Sequence, residues 1–321
     1  MIEVHNLKKH YRLPSTQWLG GRPNILKAVD GVTFTIEAGE TLGIVGESGS
    51  GKTTLGQMLL MQLSPTDGLI TFDGMSTGGS VKSAWNSFKG KVQVVFQDPY
   101  DSLNPRMRVR DIISEPLRNL TKLSNQEILT RVEEVMHQVG LRIEDLPKFP
   151  HQFSGGQRQR IGIARAISVN PKFVVLDEPV SALDVSVQAQ VINLLMEIQR
   201  RHKITYLFIS HNLAIVEHIC DRILILYLGK IAEIIKVDHL HQSRLHPYTR
   251  ALINSIPIPD PIRIKAGGLL QGEIPDPLNL PTGCRFSPRC ELAQAICRDK
   301  EPDLQALGEG HWMACHRSSE L

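Results

Sequence analysis

The segment from Gly46 to Thr53 has the composition and spacing of a phosphate-binding loop. It matches the pattern G-x-x-x-x-G-K-[ST] and lies between an apolar run at 41–45 and a helix predicted from Thr53 to Leu63. Glycines let the backbone approach a phosphate, whose charge is bound by successive N–H groups and by the helix N-terminus. A flexible glycine-serine turn is the alternative, but the lysine and threonine favour phosphate. The residues predicted to contact a nucleotide triphosphate are Gly46, Ser48, Gly49, Ser50, Gly51, Lys52, Thr53 and Thr54.

Two carboxylates, Asp177 and Glu178, directly follow the apolar run 173–176. An acidic pair at a strand end often only caps the next helix. Beside a phosphate loop, Asp177 is instead predicted to hold the shell of a Mg²⁺ ion, to which Thr53 gives its hydroxyl. Glu178 is predicted to polarise the attacking water as a general base.

Further short motifs occur in the order found in one known family. Phe153–Gln157 reads Phe-Ser-Gly-Gly-Gln and resembles the signature of the ATP-binding-cassette family, with Phe where Leu is commoner. Gln97 resembles the family's Q-loop, Ser181–Asp184 its D-loop and His211 its switch histidine. Tyr11 is the candidate for the aromatic ring that stacks on adenine. Each motif is weak alone, and their order carries the resemblance.

The resemblance implies two ATP molecules held between two subunits that close head to tail. The catalytic residues would be Glu178, His211 and Gln97, and the Mg²⁺ ligands Thr53, Gln97 and Asp177. Lys52 would reach the β- and γ-phosphates of the same ATP. The signature residues Ser154, Gly156 and Gln157 would instead contact the ATP held by the partner.

Three longer segments resemble the ATPases of bacterial dipeptide and oligopeptide importers, namely 97–105, 184–190 and 246–252. This resemblance implies a second, non-identical ATPase subunit, two transmembrane permease subunits and a periplasmic or extracellular substrate-binding protein. Residues 98–105 would face a coupling helix of a permease, and the loop between Tyr11 and Leu26 resembles that of the second ATPase of such a pair. Nickel and metal-chelate importers share these features, so peptide is the favoured substrate and metal the alternative.

Two other classes of function compete with transport. Soluble cassette ATPases of DNA repair or translation carry long coiled-coil insertions or two cassettes, whereas this sequence has one phosphate loop and no heptad run. A regulatory nucleotide-binding protein without turnover is disfavoured by the presence of both Glu178 and His211.

Four of the five cysteines, Cys284, Cys290, Cys297 and Cys315, are spaced C-x5-C-x6-C-x17-C. Zinc modules usually contain tight C-x2–4-C pairs, which are missing here, whereas four thiolates suit a [4Fe–4S] cluster. The importer resemblance also implies such a cluster. Zinc, with His311 or His316, and disulfides or free thiols remain alternatives. Cys220 is predicted to be a small core residue.

The elements that position these residues indicate an α/β fold, a cassette-type phosphate-loop ATPase core with additions. Apolar–polar alternation before residue 37 predicts an antiparallel β subdomain, and the helical periodicity of residues 98–170 predicts an inserted helical subdomain. Core strands are predicted at 173–176, 204–209, 223–228 and 231–235, with a helix at 187–201. The nucleotide-binding domain is assigned to 1–254 and a cysteine-rich extension to 255–321, entered through a proline- and glycine-rich linker.

Composition limits the partners and the location. The 321 residues are 41% hydrophobic, enough for a sizeable core, and the net charge of +3 gives no argument for nucleic acid. The longest apolar run, at 223–228, is far shorter than the roughly 20 residues of a membrane span. The N-terminus lacks the pattern of a secretory signal. We therefore expect a peripheral protein on the cytoplasmic face of the inner membrane, bound there through partners.

Overall fold

The computed structural model describes residues 1–14, 24–76, 88–98, 100, 102–241, 244–255 and 272–321. Part of the loop between Tyr11 and Leu26, most of the predicted linker, Pro99 and Asp101 lie outside these ranges. The predictions about the loop between Tyr11 and Leu26 and about the linker therefore fall outside the described residues at positions 15–23 and 256–271.

Strands and helices follow one another along the described chain. The strands are β1 (Ile2–Leu13), β2 (Asn24–Ile36), β3 (Thr41–Val45), β4 (Asp67–Phe72), β5 (Met75–Ser76), β6 (Val92–Val95), β7 (Phe173–Asp177), β8 (Thr205–Ile209), β9 (Arg222–Tyr227), β10 (Lys230–Lys236), β11 (Gln305–Gly308) and β12 (His311–Met313). The helices are α1 (Lys52–Leu59), α2 (Val109–Leu120), α3 (Asn125–Gln138), α4 (Gly155–Ile167), α5 (Val185–His202), α6 (Leu213–Ile219), α7 (Pro247–Asn254) and α8 (Ala295–Asp299).

The central sheet has the strand order β11-β12-β10-β9-β3-β8-β7-β6. Strands β9, β3, β8, β7 and β6 run parallel, whereas β10, β12 and β11 are antiparallel to their neighbours. Every residue of β3 and β8 is buried, as expected for parallel strands covered on both faces. The carboxyl ends of β3, β7 and β8 therefore meet at one edge.

Alternate residues of the central strands enter two separate cores. Val174 and Leu176 of β7 pack with the helices that follow residue 108, whereas Phe173 and Val175 pack with α1 and the N-terminal strands. This alternation follows from the two-residue period of a strand. A second sheet, antiparallel and ordered β2-β1-β4-β5, covers the second core, in line with the alternation predicted near the N-terminus.

The helical stretch begins later than its predicted start at residue 98. The first regular helix, α2, starts at Val109, and α3 and α4 follow it before Asn170. The predicted helix from Thr53 to Leu63 is wrong at its end, since α1 stops at Leu59. Met61, with φ 56°, has a left-handed backbone that an α-helix does not accommodate. The core strands and α5 lie within two residues of their predicted bounds.

The cysteine-rich tail shares the central sheet. Strand β12 pairs with β10, where Glu233 lies opposite Met313 and Ile234 opposite Trp312. His311 Nε2 lies 2.7 Å from a carboxylate oxygen of the fully buried Glu233. The tail thus contributes strands to the core sheet, while the boundary between residues 254 and 255 stays a prediction.

Candidate active site

The phosphate-binding loop joins β3 to α1 in a backbone form that requires glycine. Gly49 has φ 76° and Gly51 has φ 105°, both in the left-handed region. A Cβ atom at Gly51 would lie 2.2 Å from the Ala28 carbonyl oxygen, and one at Gly46 would lie 2.2 Å from that of Leu226. The loop is therefore built by backbone packing against β2 and β9, and side chains other than hydrogen do not fit at these two positions.

Lys52 is a buried cation that folds over the loop. Its Nζ donates to the carbonyl oxygens of Gly46, at 2.7 Å, and Glu47, at 2.9 Å. Burial lowers the pKa of Lys52, and the carboxylates of Glu178 and Asp177 oppose that effect. The ammonium group thus lies between the loop and the acidic strand end, and Lys52 also lines the cavity above them.

The acidic strand end meets His211 through the sheet register. Asp177 of β7 pairs with Ile209 of β8, which places the residues following these strands side by side. His211 Nδ1 lies 3.1 Å from Glu178 Oε1. Glu178 has φ 46°, a conformation that non-glycine residues rarely adopt and that often marks a functional site. The pKa of Asp177 is raised, chiefly by burial and to a smaller extent by the charge of Glu178.

One cavity of about 660 Å³ collects most of the predicted residues, and its size is typical of a small-molecule site. Tyr11 lies at its β1 wall and Gln97 at the wall that follows β6. Lys27, Pro277 and Leu280 also line it, although none of them belongs to the motifs that predicted the site. The predicted residues that line it are Tyr11, Ser48, Gly49, Gly51, Lys52, Thr53, Thr54, Gln97, Glu178 and His211.

Gly46, Ser50 and Asp177 belong to the same loop and strand end but do not line the cavity. Within the described chain, the buried hydroxyl of Ser50 has no hydrogen-bond partner. The structure therefore brings the phosphate loop, the acidic pair, Gln97 and His211 to one sheet edge, with the cavity over it.

The signature residues Ser154, Gly156 and Gln157 do not line this cavity. Ser154 caps α4, and a reciprocal pair of hydrogen bonds joins it to Gln157. Both side chains are exposed. A Cβ atom at Gly156 would lie 2.4 Å from Val187 Cγ1, so this glycine is required by the contact with α5. The signature thus forms a capped helix N-terminus whose exposed side chains, Ser154 and Gln157, do not line the chain's own cavity.

The four tail cysteines border one small cavity, together with His316. All are free thiols, and Cys220 is buried elsewhere in the core. Burial raises the pKa of Cys284 to about 11 and also raises those of Cys290 and Cys315, with the other cysteine charges adding to the effect. A cation would offset that cost. Across the described ranges, however, no three His, Cys, Asp or Glu residues are placed to hold a metal ion.

The fold and the site together define a phosphate-loop ATPase. Residues 29–181 match the ABC transporter family, and residues 232–297 match the oligopeptide/dipeptide transporter C-terminal region. The oligopeptide transport ATP-binding protein OppF of Escherichia coli (strain K12) is 47% identical, over 100% of this chain and 97% of OppF. The di/tripeptide transport ATP-binding protein DppF of Pseudomonas aeruginosa (strain UCBPP-PA14) is 45% identical, over 100% of this chain and 98% of DppF. The chain belongs to the ABC transporter family, as the sequence motifs predicted.

Solved structures show the same fold. A dimeric post-hydrolysis state of the ATP-binding cassette MJ0796, bound to ADP and Pi, superposes with a TM-score of 0.65 at 27% identity. It covers 74% of this chain and 99% of that one. The cbiO1 protein of Clostridium perfringens, part of the ABC transporter complex cbiONQ, gives a TM-score of 0.65 at 28% identity. The match covers 75% of this chain and 90% of cbiO1. Among the described residues, no helix is both long and apolar enough to cross a membrane.

Proposed function

We propose that this chain hydrolyses ATP to power peptide import across the bacterial inner membrane, as one ATPase subunit of a transporter. The observation that carries the proposal is the Glu178–His211 pair, which faces a cavity already lined by the phosphate loop and Lys52. That arrangement combines a phosphate site with a base beside it. ATPase chemistry needs little more, because positioned charge supplies most of the catalysis.

Peptide is the favoured cargo because the relatives named above transport oligopeptides, dipeptides or tripeptides by name and align over the whole chain. The C-terminal match to the oligopeptide/dipeptide region supports the same substrate class. Nickel or a metal chelate, the alternative from the sequence, has no comparable support.

Each side chain at the sheet edge has a proposed task toward ATP. The N–H groups of residues 48–53 and the Lys52 ammonium bind the β- and γ-phosphates, and Tyr11 stacks on the adenine. Thr53, Gln97 and Asp177 supply the oxygen atoms that Mg²⁺ prefers. When bound, Mg²⁺ neutralises charge on the phosphates.

Glu178 accepts a proton from the attacking water, and His211 holds the carboxylate in position. The 3.1 Å contact between His211 Nδ1 and Glu178 Oε1 supports this division of labour. Gln97 lies on the far wall of the cavity, at the start of the segment 98–105 that we expect to contact a permease. ATP binding is thereby proposed to be linked to the membrane subunits.

Ser154, Gly156 and Gln157 are proposed to complete the ATP site of a second, non-identical ATPase subunit. The exposure of Ser154 and Gln157, and the absence of all three residues from the lining of this chain's cavity, support that role. Two permease subunits and an external substrate-binding protein complete the proposed complex. They hold this chain on the cytoplasmic face of the membrane as a peripheral subunit.

The four tail cysteines are proposed to bind a metal centre, with [4Fe–4S] favoured over zinc. Their convergence on one cavity, as free thiols, supports the proposal. Such a centre would cross-link the irregular segments that carry Cys284, Cys290 and Cys315 with α8, which carries Cys297. No catalytic step depends on it.

ATP turnover by the reconstituted complex tests the function. We expect hydrolysis by the complex in liposomes to rise when the binding protein carries a di- or oligopeptide, and to stay basal with nickel. The control variant Glu217→Gln alters another histidine–glutamate pair, 2.6 Å between His241 Nε2 and Glu217 Oε1, away from the cavity. It should leave stimulation unchanged. Stimulation by nickel alone would contradict peptide import.

Metal analysis of anaerobically purified protein tests the cysteine proposal separately. Iron and sulfide with broad absorbance near ~400 nm are expected for an iron–sulfur cluster. A colourless protein with one zinc ion per chain would show the alternative centre, and metal-free protein would contradict both.

A further inference from the structure

Two buried arginines connect the cysteine-bearing tail to the nucleotide site. Arg285 and Arg289 lie between Cys284 and Cys290, and 6% and 9% of their surfaces are exposed. Arginine is among the residues least often buried to this degree unless it is paired. Arg285 donates to Asp30, which lies in β2, and to the carbonyl oxygen of Leu228, which directly follows β9. The partner of Arg289 lies in the loop itself.

Arg289 binds Glu47, the second residue of the phosphate loop, through two parallel hydrogen bonds. Nη1 lies 2.6 Å from Oε2, and Nη2 lies 3.0 Å from Oε1. This fork-to-fork arrangement fixes the orientation of a carboxylate as well as its charge. Tyr248 adds a third contact, since its hydroxyl accepts a hydrogen bond from the Glu47 N–H at 2.9 Å. The side chain and the amide of Glu47 are therefore both held by residues that come after β10 in the chain.

The position of Glu47 explains why that hold matters for ATP. Its carbonyl oxygen accepts from Lys52 Nζ at 2.9 Å, so the Glu47 peptide helps to aim the ammonium group. A carboxylate inside a phosphate-binding loop would also repel a triphosphate. Arg289 neutralises the charge of Glu47. Glu47 lies two positions before Gly49, which lines the cavity.

We propose that Arg289 is a positioning residue for ATP binding, which orients and neutralises Glu47 and thereby sets the phosphate loop. The proposal rests on the proposed ATPase function. It assigns a role in ATP binding to a residue of the tail, and none of the sequence motifs of the site includes that residue. It also gives the cysteine segment a physical route to the nucleotide, since Arg289 immediately precedes Cys290.

Steady-state kinetics of the reconstituted complex test the proposal through Arg289→Ala. We expect KM for ATP to rise about tenfold, on the order of the loss of one hydrogen bond between charged groups. The kcat value at saturating ATP should stay within about twofold, because the catalytic pair is untouched. Arg289→Lys keeps the charge without the fork and should give an intermediate KM. An unchanged KM in Arg289→Ala would overturn the proposal.

The Glu47→Gln background separates positioning from general support of the tail. If Arg289 acts through Glu47, then adding Arg289→Ala to Glu47→Gln should change KM by less than about twofold. A similar rise in both backgrounds would overturn the proposal. Should Arg289→Ala fail to assemble, Arg289→Lys carries the same comparison, with its smaller rise again expected to vanish beside Glu47→Gln.

Glu301→Gln is the matched control. It removes an ion pair in which Lys230 Nζ lies 2.6 Å from Glu301 Oε1 and which joins the tail to the same sheet without touching the loop. We expect its KM for ATP to equal that of the wild type, and a tenfold rise there would overturn a specific role for Arg289. A wild-type complex that does not hydrolyse ATP would instead contradict the proposed function.

Discussion

The phosphate loop and the cysteine segment are both candidate sites, but they are encoded in different ways. The loop spans eight consecutive residues, and its shape comes from backbone conformations at Gly49 and Gly51. The four cysteines are spread over residues 284–315 and meet only because a helix, a hairpin and several turns fold together. A contiguous, backbone-built site is specified locally, whereas a dispersed, side-chain-built site depends on every element that carries a ligand.

The largest expected effect lies at the sheet edge beside the phosphate loop, at the Glu178–His211 pair. Glu178→Gln removes the proposed general base and should lower kcat for ATP about 10³-fold while nucleotide binding persists. Rapid-quench measurement of phosphate release, with nucleotide binding measured in parallel, separates the two effects. Near-normal release would show that the water is activated by another group.

A glycine substitution tests whether the loop is built by backbone packing. Gly51→Ala puts a Cβ atom 2.2 Å from the Ala28 carbonyl oxygen, at φ 105°, and should lower the free energy of unfolding by about 3 kcal/mol or more. The control Gly74→Ala has φ 77° but no atom within 4 Å, so about 1 kcal/mol is expected. Chemical denaturation without nucleotide gives both values. Equal losses would mean that strain alone, and not packing, limits the loop.

The pH dependence of stability tests the contact between Arg285 of the tail and Asp30 of β2. Despite burial, hydrogen bonding from His10 and the charge of Arg285 lower the pKa of Asp30 to about 2, from 3.8. The depressed pKa stabilises the fold by roughly 2 kcal/mol above pH 4, and this contribution is lost as the pH falls from 3.8 to about 2. Unfolding of Asp30→Asn should therefore differ most from wild type above pH 4, with the gap closing below it.

The control for this titration is Asp67→Asn, at an exposed ion pair with Lys8. It should change stability little at any pH, because exposed pairs contribute little. A gap between Asp30→Asn and wild type that stays constant down to pH 2 would contradict the assigned role of the Asp30 charge.

The smallest expected effect belongs to α4, the helix that begins at the signature. Its cap is formed by neighbouring residues, whereas the contact of Gly156 with Val187 joins it to a distant helix. Ser154→Ala removes the cap of α4 and should cost about 1 kcal/mol of stability. In a complex of two different ATPases, it should impair the site built on the partner's phosphate loop more than the site around Lys52. Site-specific nucleotide trapping distinguishes the two, and equal loss would favour a homodimer or strictly coupled sites.

Sequence motifs predicted the site where neighbours in the chain are neighbours in space. The loop follows the buried strand β3, Asp177 ends β7 and Glu178 comes directly after it, and parallel strands bring their carboxyl ends to one edge. Lys27, Leu280 and Arg289 escaped prediction because they reach the site through contacts between distant segments. The end of α1 at Leu59 was missed for a related reason, since the left-handed turn at Met61 depends on its surroundings.

Peptide uptake into proteoliposomes shows whether ATP hydrolysis at this chain's site drives import. With the binding protein and labelled peptide on one side and ATP on the side of this chain, we expect uptake that stops when Glu178→Gln replaces the wild type. Phosphate release should fall in parallel. Uptake that continues at the wild-type rate in Glu178→Gln, or with a non-hydrolysable ATP analogue, would contradict it.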